Sequence, residues 1–367
     1  MRVLLAPNAF KGTLSAQAAA AALRRGLRRA RPGWSVDTLP LADGGPGTLE
    51  ALRAALGGRL RPVKVEDALG RMRQAKWLDL PGGLAVVESA QALGLEWIEP
   101  GERDALAAGS EGLGRLLLAV AGDGKRELLL GLGGSASTDG GSGAARALGW
   151  RFLDKSGQDL GPGGGALAGL WAVLSPRRPR LGRLKLHVLC DVDAPLSGVR
   201  GAAKVYAPQK GADPAQVRRL DQGLRRLAAC TSPELAKVPG AGAAGGLGFG
   251  LMAFAGAGLR PGAETLLRLC GFGARLKRAD VLVTGEGRLD AQSLQGKLPT
   301  VLAAAARKAG RPCLAVVGRC DLKAAAWRKA GFGSVLEAPG PDPAKARRAL
   351  ERLGPHLARR LEQSVGA

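Results

Sequence analysis

Glycines, small hydroxyls and carboxylates recur in this chain at spacings that could do chemistry. GLGGSASTDGG, residues 131–141, sets them directly after an apolar run. Such a turn exposes backbone N–H groups and, with a helix following, aims a helix N-terminus at the same place, which suits a phosphate. Gly133, Gly134, Ser135, Thr138 and Asp139 are the candidate contacts, with plain turn geometry as the competing reading. CDVDAP, residues 190–195, sets Asp191 and Asp193 two positions apart. That pair can share a hydrated magnesium ion, or one carboxylate can hold metal while the other accepts a proton. A turn with Asx-type side-chain bonds would use the same spacing. TGEGRLD, residues 284–290, adds Glu286 and Asp290 with Arg288 between them, which reads equally as an internal salt bridge. Lys11 and Lys297 each adjoin a glycine and could approach phosphate or carboxylate oxygens without hindrance, although a loop lysine is more often simply solvated.

Several chemistries are excluded or disfavoured. Two histidines, His187 and His356, nearly rule out a multi-histidine metal site or a Ser-His-Asp triad. His187 reads as a satisfied core residue within an apolar strand and His356 as a surface residue. Any general base should therefore be a carboxylate, which suits phosphoryl transfer, where positioning, magnesium and cationic groups matter more than a strong base. No GxxxxGK[ST] loop is present, and no GxGxxG follows the first strand, which disfavours a dinucleotide dehydrogenase. Five cysteines without a CxxC pair suggest reduced thiols and a cytoplasmic protein. The opening MRVLLAPNAF has no secretory pattern. Residues 240–259 are uncharged but contain eight glycines, which suggests a buried or ligand-lining segment rather than a membrane span. Lysine and arginine total 54 against 31 acids, a net charge of +23. These cations are spread along helix faces such as Arg24, Arg25, Arg28 and Arg29. Aromatics are only 4%, so a base-stacking platform is poorly supplied and nucleic-acid binding is disfavoured. An Arg-rich surface would still draw anionic metabolites inward.

The elements that must position these residues alternate between strand and helix. Strands are expected at 2–6, 35–39, 127–131, 280–285, 313–317 and 334–337. Helices are expected at 14–30 (capped by Thr13 or Ser15), 49–56, 111–121, 300–309 and 322–330, with a basic helix at the end. This alternation implies a parallel sheet with helices on both faces. Segments 63–66, 75–80 and 84–88 are closely spaced strands, which suggests a mixed sheet in a second α/β domain inserted into the first. The run 155–185 is loop-rich, and 285–297 reads as a long loop. In a parallel sheet, ligands bind beyond the carboxyl ends of strands. Asn8 and Lys11, Asp43 with Gly44 and Gly45, the 131–141 turn, Asp191 and Asp193, and Glu286 through Lys297 all fall at that topological place.

Seven motifs in order, APNAFKGT (6–13), LADGGPGT (41–48), GLGGSASTDGG (131–141), CDVDAPLSG (190–198), YAPQKGAD (206–213), GAGAAGGLGFG (240–250) and TGEGRLDAQSLQGK (284–297), resemble those of the type I glycerate kinases, the bacterial family that includes the glycerate 2-kinases. The resemblance spans essentially the whole chain. It implies a Rossmann-like α/β domain, residues 1–62 and 278–367, interrupted by an inserted α/β domain, residues 63–277; residues 105–148 could also belong to the first. It further implies an active site in the cleft between domains and phosphorylation of D-glycerate by ATP with Mg2+, typically to 2-phosphoglycerate. Carried onto these positions, Asp191, Lys11 and Lys297 would be catalytic, with Asp191 as the proton acceptor. Lys11, Asp43, Glu286, Arg288 and Asp290 would bind glycerate. Gly133, Gly134, Ser135, Thr138 and Asp139 would hold ATP, and Asp191 and Asp193 the metal. Two motifs depart from the usual pattern: Asn8-Ala9 replaces Asp-Ser, and Pro46 replaces Glu, so affinity or the preferred hydroxy acid could differ. A kinase for another small hydroxy acid or sugar acid, and a non-catalytic basic nucleic-acid-binding protein, are the rival readings. No membrane partner is expected, and a homo-oligomer is compatible with the sequence.

Overall fold

The structure, a computed structural model, describes residues 1–366 except Pro179, Gln292 and Gln295. One residue of the PRRPR loop and two of the TGEGRLDAQSLQGK motif thus lie outside the described residues. Along the chain the strands are β1 (Arg2–Pro7), β2 (Ser35–Thr38), β3 (Arg59–Glu66), β4 (Met72–Asp79), β5 (Leu84–Glu88), β6 (Glu127–Gly131), β7 (Arg151–Leu153), β8 (Ala172–Leu174), β9 (Lys185–Leu189), β10 (Gly258–Arg260), β11 (Val281–Leu289), β12 (Cys313–Cys320) and β13 (Ser334–Glu337). The chain divides into two units. One comprises Met1–Asp43, Glu50–Gly57 and Ala263–Ala367, the other Gly44–Leu49 and Gly58–Gly262. The segment 105–148 lies in the second unit. The boundaries differ from those read in the sequence because β3 pairs with β4 over its full length and so carries 59–62 into the second sheet.

The first unit holds a five-stranded, all-parallel sheet in the order β13-β12-β11-β1-β2. Five of the six residues of β1 are buried, as a central strand covered on both faces requires. Helix α1 (Ala16–Ala30) follows it. Ser15 caps α1 by accepting from the Ala18 amide, and Ala19, Ala22, Leu23 and Leu27 face the core. Gly26 is needed for a close crossing, since a Cβ there would come within 2.5 Å of the Glu351 carbonyl oxygen. Strand β11 continues through Leu289, where a loop was expected. Glycine and charge lower the strand signal of GEGRL, but pairing with β12 as far as Leu289↔Cys320 satisfies its backbone. The expected single terminal helix is two, Pro343–Arg352 and Gly354–Val365, the second starting with Pro355 in its first turn.

The second unit holds a six-stranded mixed sheet, β10-β9-β6-β5-β4-β3, with antiparallel pairing confined to β3–β4 and β4–β5. The hairpin β7–β8 stands apart and places a strand inside the run read as loop. Helix α2 (Thr48–Leu56) starts in this unit and lies for the most part in the first, and α3 (Ala90–Leu93), α4 (Glu111–Gly122) and α5 (Ser142–Ala147) are the helices that bear on the site. The uncharged segment 240–259 is buried, and most of it forms the helix Ala243–Ala255. Among the described residues no helix is long and apolar enough to cross a membrane.

Candidate functional site

Counted along the first unit, its strand order is 2-1-3-4-5, a doubly wound arrangement with one switch point, between β1 and β11. The helices after these two strands depart to opposite sides, leaving a crevice at the strands' carboxyl ends. Beyond β1 come Asn8 and Lys11, and β11 ends with the Glu286–Asp290 motif. Register carries the two loops together, with Pro7 opposite Gly285 and the Asn8 amide donating to the Gly285 carbonyl at 2.8 Å. A Cβ on Gly287 would lie 3.1 Å from the Lys11 amide, which is why a residue without a side chain stands there. The Asn8 carboxamide is buried and accepts from the Ala9 amide at 2.7 Å, so at this departure from the family pattern the side chain locks its own turn.

Glu286 is 8% exposed and its Oε1 has no hydrogen-bond partner. Burial pushes its carboxyl above the ordinary range. A hydrogen bond from Ser293 and the charge of Lys297 oppose that shift, while Asp290 and Asp43 add to it. Glu286 thus shares one neighbourhood with Lys297, Asp290 and Asp43. Asp290 accepts from the Ser293 amide at 3.1 Å, and Lys297 stands at the N-terminal boundary of the helix Leu298–Lys308 without a side-chain bond to its amides. Arg288 is largely exposed and bonded to Asp321 after β12, while Asp290 lies 3.8 Å away. The salt-bridge reading therefore describes Arg288, with a partner the local motif could not reveal.

In the second unit, Glu88, Gly131 and Leu189 stand opposite one another on β5, β6 and β9. The chain beyond each of them carries Ser89, the glycine-rich loop and the 190–195 segment to one edge of the sheet. Gly44 and Gly45 lie against that loop. A Cβ on Gly131 would fall 2.1 Å from the Gly44 carbonyl oxygen, and one on Gly133 would fall 2.6 Å from the Gly45 Cα. Pro46 packs over Gly134, which has φ +81°, with its ring 3.1 Å from where a Cβ would stand. From behind, Gly164 and Gly245 approach equally closely, each leaving only 2.1 Å for a Cβ before the carbonyl oxygens of Thr138 and Ser137. The GAGAAGGLGFG motif thus serves as the bed of the loop.

Four buried hydroxyls at this edge, Ser89, Ser135, Ser137 and Thr138, have no hydrogen-bond partner. Buried polar groups are nearly always paired, so four unpaired hydroxyls around one glycine-rich loop single out this edge of the sheet as a candidate polar site. Asp139 plays a different part from the one expected. Its carboxylate accepts from the Ser110 amide (2.9 Å), the Ser110 hydroxyl (2.7 Å), the Gly143 amide (3.0 Å) and the Gly141 amide (3.1 Å). The Ser110 hydroxyl in turn takes the Ala144 amide. The N-terminus of α5 is therefore already occupied by a protein carboxylate and is not open to a phosphate.

Sequence reasoning passed over Lys210. It belongs to YAPQKGAD and adjoins Gly211, the same signal that singled out Lys11 and Lys297. The side chain is buried, and its Nζ donates to the Ser137 carbonyl at 2.6 Å. Burial pulls its ammonium down to about 7, against the opposing pull of Asp139.

Asp191 and Asp193 are exposed, and Asp191 Oδ1 accepts from the Gly262 amide at 2.8 Å, a contact 71 residues distant. Among the described residues no three His, Cys, Asp or Glu side chains gather as a metal cage. Two carboxylate oxygens beside a phosphate-type loop fit magnesium in the manner it prefers, with one or two carboxylates and the remaining positions filled by water and phosphate. His187 is half-buried between Arg260 (2.9 Å) and Glu127 (3.2 Å), and His356 is exposed.

A doubly wound sheet with amines and carboxylates at its switch point, together with a mixed sheet bearing a glycine-rich anion loop, defines an α/β protein of the phosphate-handling class. Residues 3–366 match the model of the glycerate kinase family. The chain is 44% identical over 322 residues to a glycerate kinase from Halalkalibacterium halodurans, covering 86% of this chain and 85% of that protein. It is 39% identical over 324 residues to a glycerate 2-kinase from Escherichia coli, covering 87% and 85%. A solved structure described as a glycerate kinase 2 from Salmonella typhimurium LT2 superposes with a TM-score of 0.85 at 35% identity, over the whole of both chains. The chain belongs to the glycerate kinase family.

Proposed function

We propose that this protein transfers the γ-phosphoryl group of ATP to a hydroxyl of D-glycerate, giving 2-phospho-D-glycerate and ADP. The observation that carries the reading is the loop 131–138, whose buried hydroxyls lack partners although its backbone is clamped on three sides by glycines. Ser135, Ser137 and Thr138 would donate to ATP phosphate oxygens, and Gly133 and Gly134 would let those oxygens approach the backbone. Magnesium held by Asp191 and Asp193 would neutralise charge on the phosphates. Lys11 and Lys297 meet the glycerate carboxylate, while Asp43, Glu286 and Asp290 accept from its hydroxyls. Asp191 takes the proton of the attacking hydroxyl as the new O–P bond forms and the bond to the β-phosphate oxygen breaks, with the electron pair leaving on ADP. Five free cysteines accord with a cytoplasmic enzyme.

The test is incubation with Mg-ATP and D-glycerate, followed by phosphorus NMR of the product. The 2-phosphate is expected. The 3-phosphate would move the accepting hydroxyl by one carbon, and ADP formation independent of glycerate would remove the assignment.

A further inference from the structure

On the first unit, a concavity of about 600 Å³ opens between α1, the end of β2 at Thr38, and Ala54 of α2. No candidate site residue lines it. Four of its ten lining residues are arginines, Arg24, Arg25, Arg28 and Arg29, and none is acidic or aromatic. The arginines form two i,i+4 columns on α1, an arrangement that costs a helix a few tenths of a kcal/mol per like-charged pair, about 0.2–0.5. One column is neutralised: Arg25 bonds Glu351 at 2.7 Å, and Arg29 lies within the same carboxylate's field. The other, Arg24 with Arg28, has no carboxylate partner among the described residues. Arg28 lies in the last turn of α1 and gains from the helix dipole, but Arg24 stands a full turn further in. At the recess, Gln17 of α1 donates to the Glu50 carbonyl of α2 at 2.8 Å, linking the two helices.

Arg24 and Arg28 stand one helical turn apart on α1, both lining the recess and neither with a carboxylate partner among the described residues. Guanidinium forks match phosphate oxygens two at a time. Without an aromatic wall there is no platform for a base or a sugar face. We infer that this recess binds an oligophosphate anion, a short chain of phosphate groups held by the Arg24 and Arg28 guanidiniums, at a site separate from the residues of phosphoryl transfer.

Inorganic tripolyphosphate titrated calorimetrically into the full-length protein and into R24Q/R28Q tests this. The double variant should lose about tenfold or more in affinity for one binding event, the scale of one lost charge-assisted pair. Tripolyphosphate bound at the glycine-rich loop would persist in the variant, so the difference reports the recess alone. Phosphoryl transfer to glycerate should be unchanged in R24Q/R28Q, and R24K/R28K should bind with intermediate affinity because it keeps the charge and loses the fork. Equal affinity in wild type and R24Q/R28Q would overturn the inference. So would equal competition by sulfate at matched ionic strength, which would make the recess a general cationic surface. Single-stranded DNA binding more tightly than tripolyphosphate, and lost in the same variant, would overturn the small-anion assignment.

Discussion

Asp191 reaches solvent while its Oδ1 is steadied by the Gly262 amide, so one carboxylate oxygen is oriented by the backbone of a distant segment. If it accepts the substrate proton, D191N should lower kcat by about a hundredfold or more with little change in protein stability. Steady-state kinetics beside urea unfolding checks both, and unchanged kcat would remove Asp191 from that role. Lys210 leads to a different expectation. Its ammonium falls from 10.5 to about 7 on folding because it is buried. Between those values the unfolded chain keeps a proton that the folded chain has released, so this group makes stability rise with pH across that window and leaves it lowest below pH 7. Urea unfolding at several pH values between about 7 and 10 should show a pH slope of stability that is more positive in the wild type than in K210M. A slope identical in the two proteins would contradict the buried-lysine account. The lysine was visible in the sequence, but its burial was not: the glycine beside it suggests access, and only packing reveals that the ammonium points into the protein.

At the scale of elements, the glycine-rich loop is held from several sides. Asp139 joins the N-termini of α4 and α5 through Ser110, and Gly164 and Gly245 press against the carbonyls of Thr138 and Ser137. D139A would strand four buried donors at once, so it should destabilise the protein by about 3 kcal/mol or more. Denaturant unfolding measures this, and a loss below about 1 kcal/mol would mean that water replaces the carboxylate. The motif was legible as a glycine-rich turn after a strand, but its division of labour was not. The pattern S-T-D reads as three adjacent polar groups, whereas the fold turns the hydroxyls of Ser137 and Thr138 to unpartnered positions and the carboxylate to backbone amides. Strand β11 teaches the same lesson. Its last residues look like loop in isolation and become strand because β12 supplies hydrogen bonds along their length.

At the scale of the whole molecule, a net charge of +23 surrounds a protein whose proposed substrates are anions. Such a field concentrates anions near the surface and is screened over about 10 Å at 0.1 M salt. The KM for glycerate and for ATP should therefore rise several-fold as ionic strength increases from about 0.05 to 0.5 M, with kcat nearly constant. A parallel fall in kcat would point to a change in the enzyme rather than to screening.

The sequence by itself determined the α/β class, the parallel character of the first unit's sheet and the mixed character of the second unit's sheet. Periodicity and strand–helix alternation are local properties that survive without knowledge of partners. It also placed the candidate loops at strand ends, because glycine, hydroxyl and carboxylate at a strand's end are constrained by backbone geometry within a few residues. Tertiary structure alone decided which of those groups remain open to a ligand. Arg288 is engaged by Asp321, Asp139 by Ser110 and two glycine amides, and Lys210 by Ser137, each across a gap in sequence that no local pattern spans. Whether a polar group is satisfied depends on what long-range packing brings within hydrogen-bonding distance, and that is fixed only when the chain is folded.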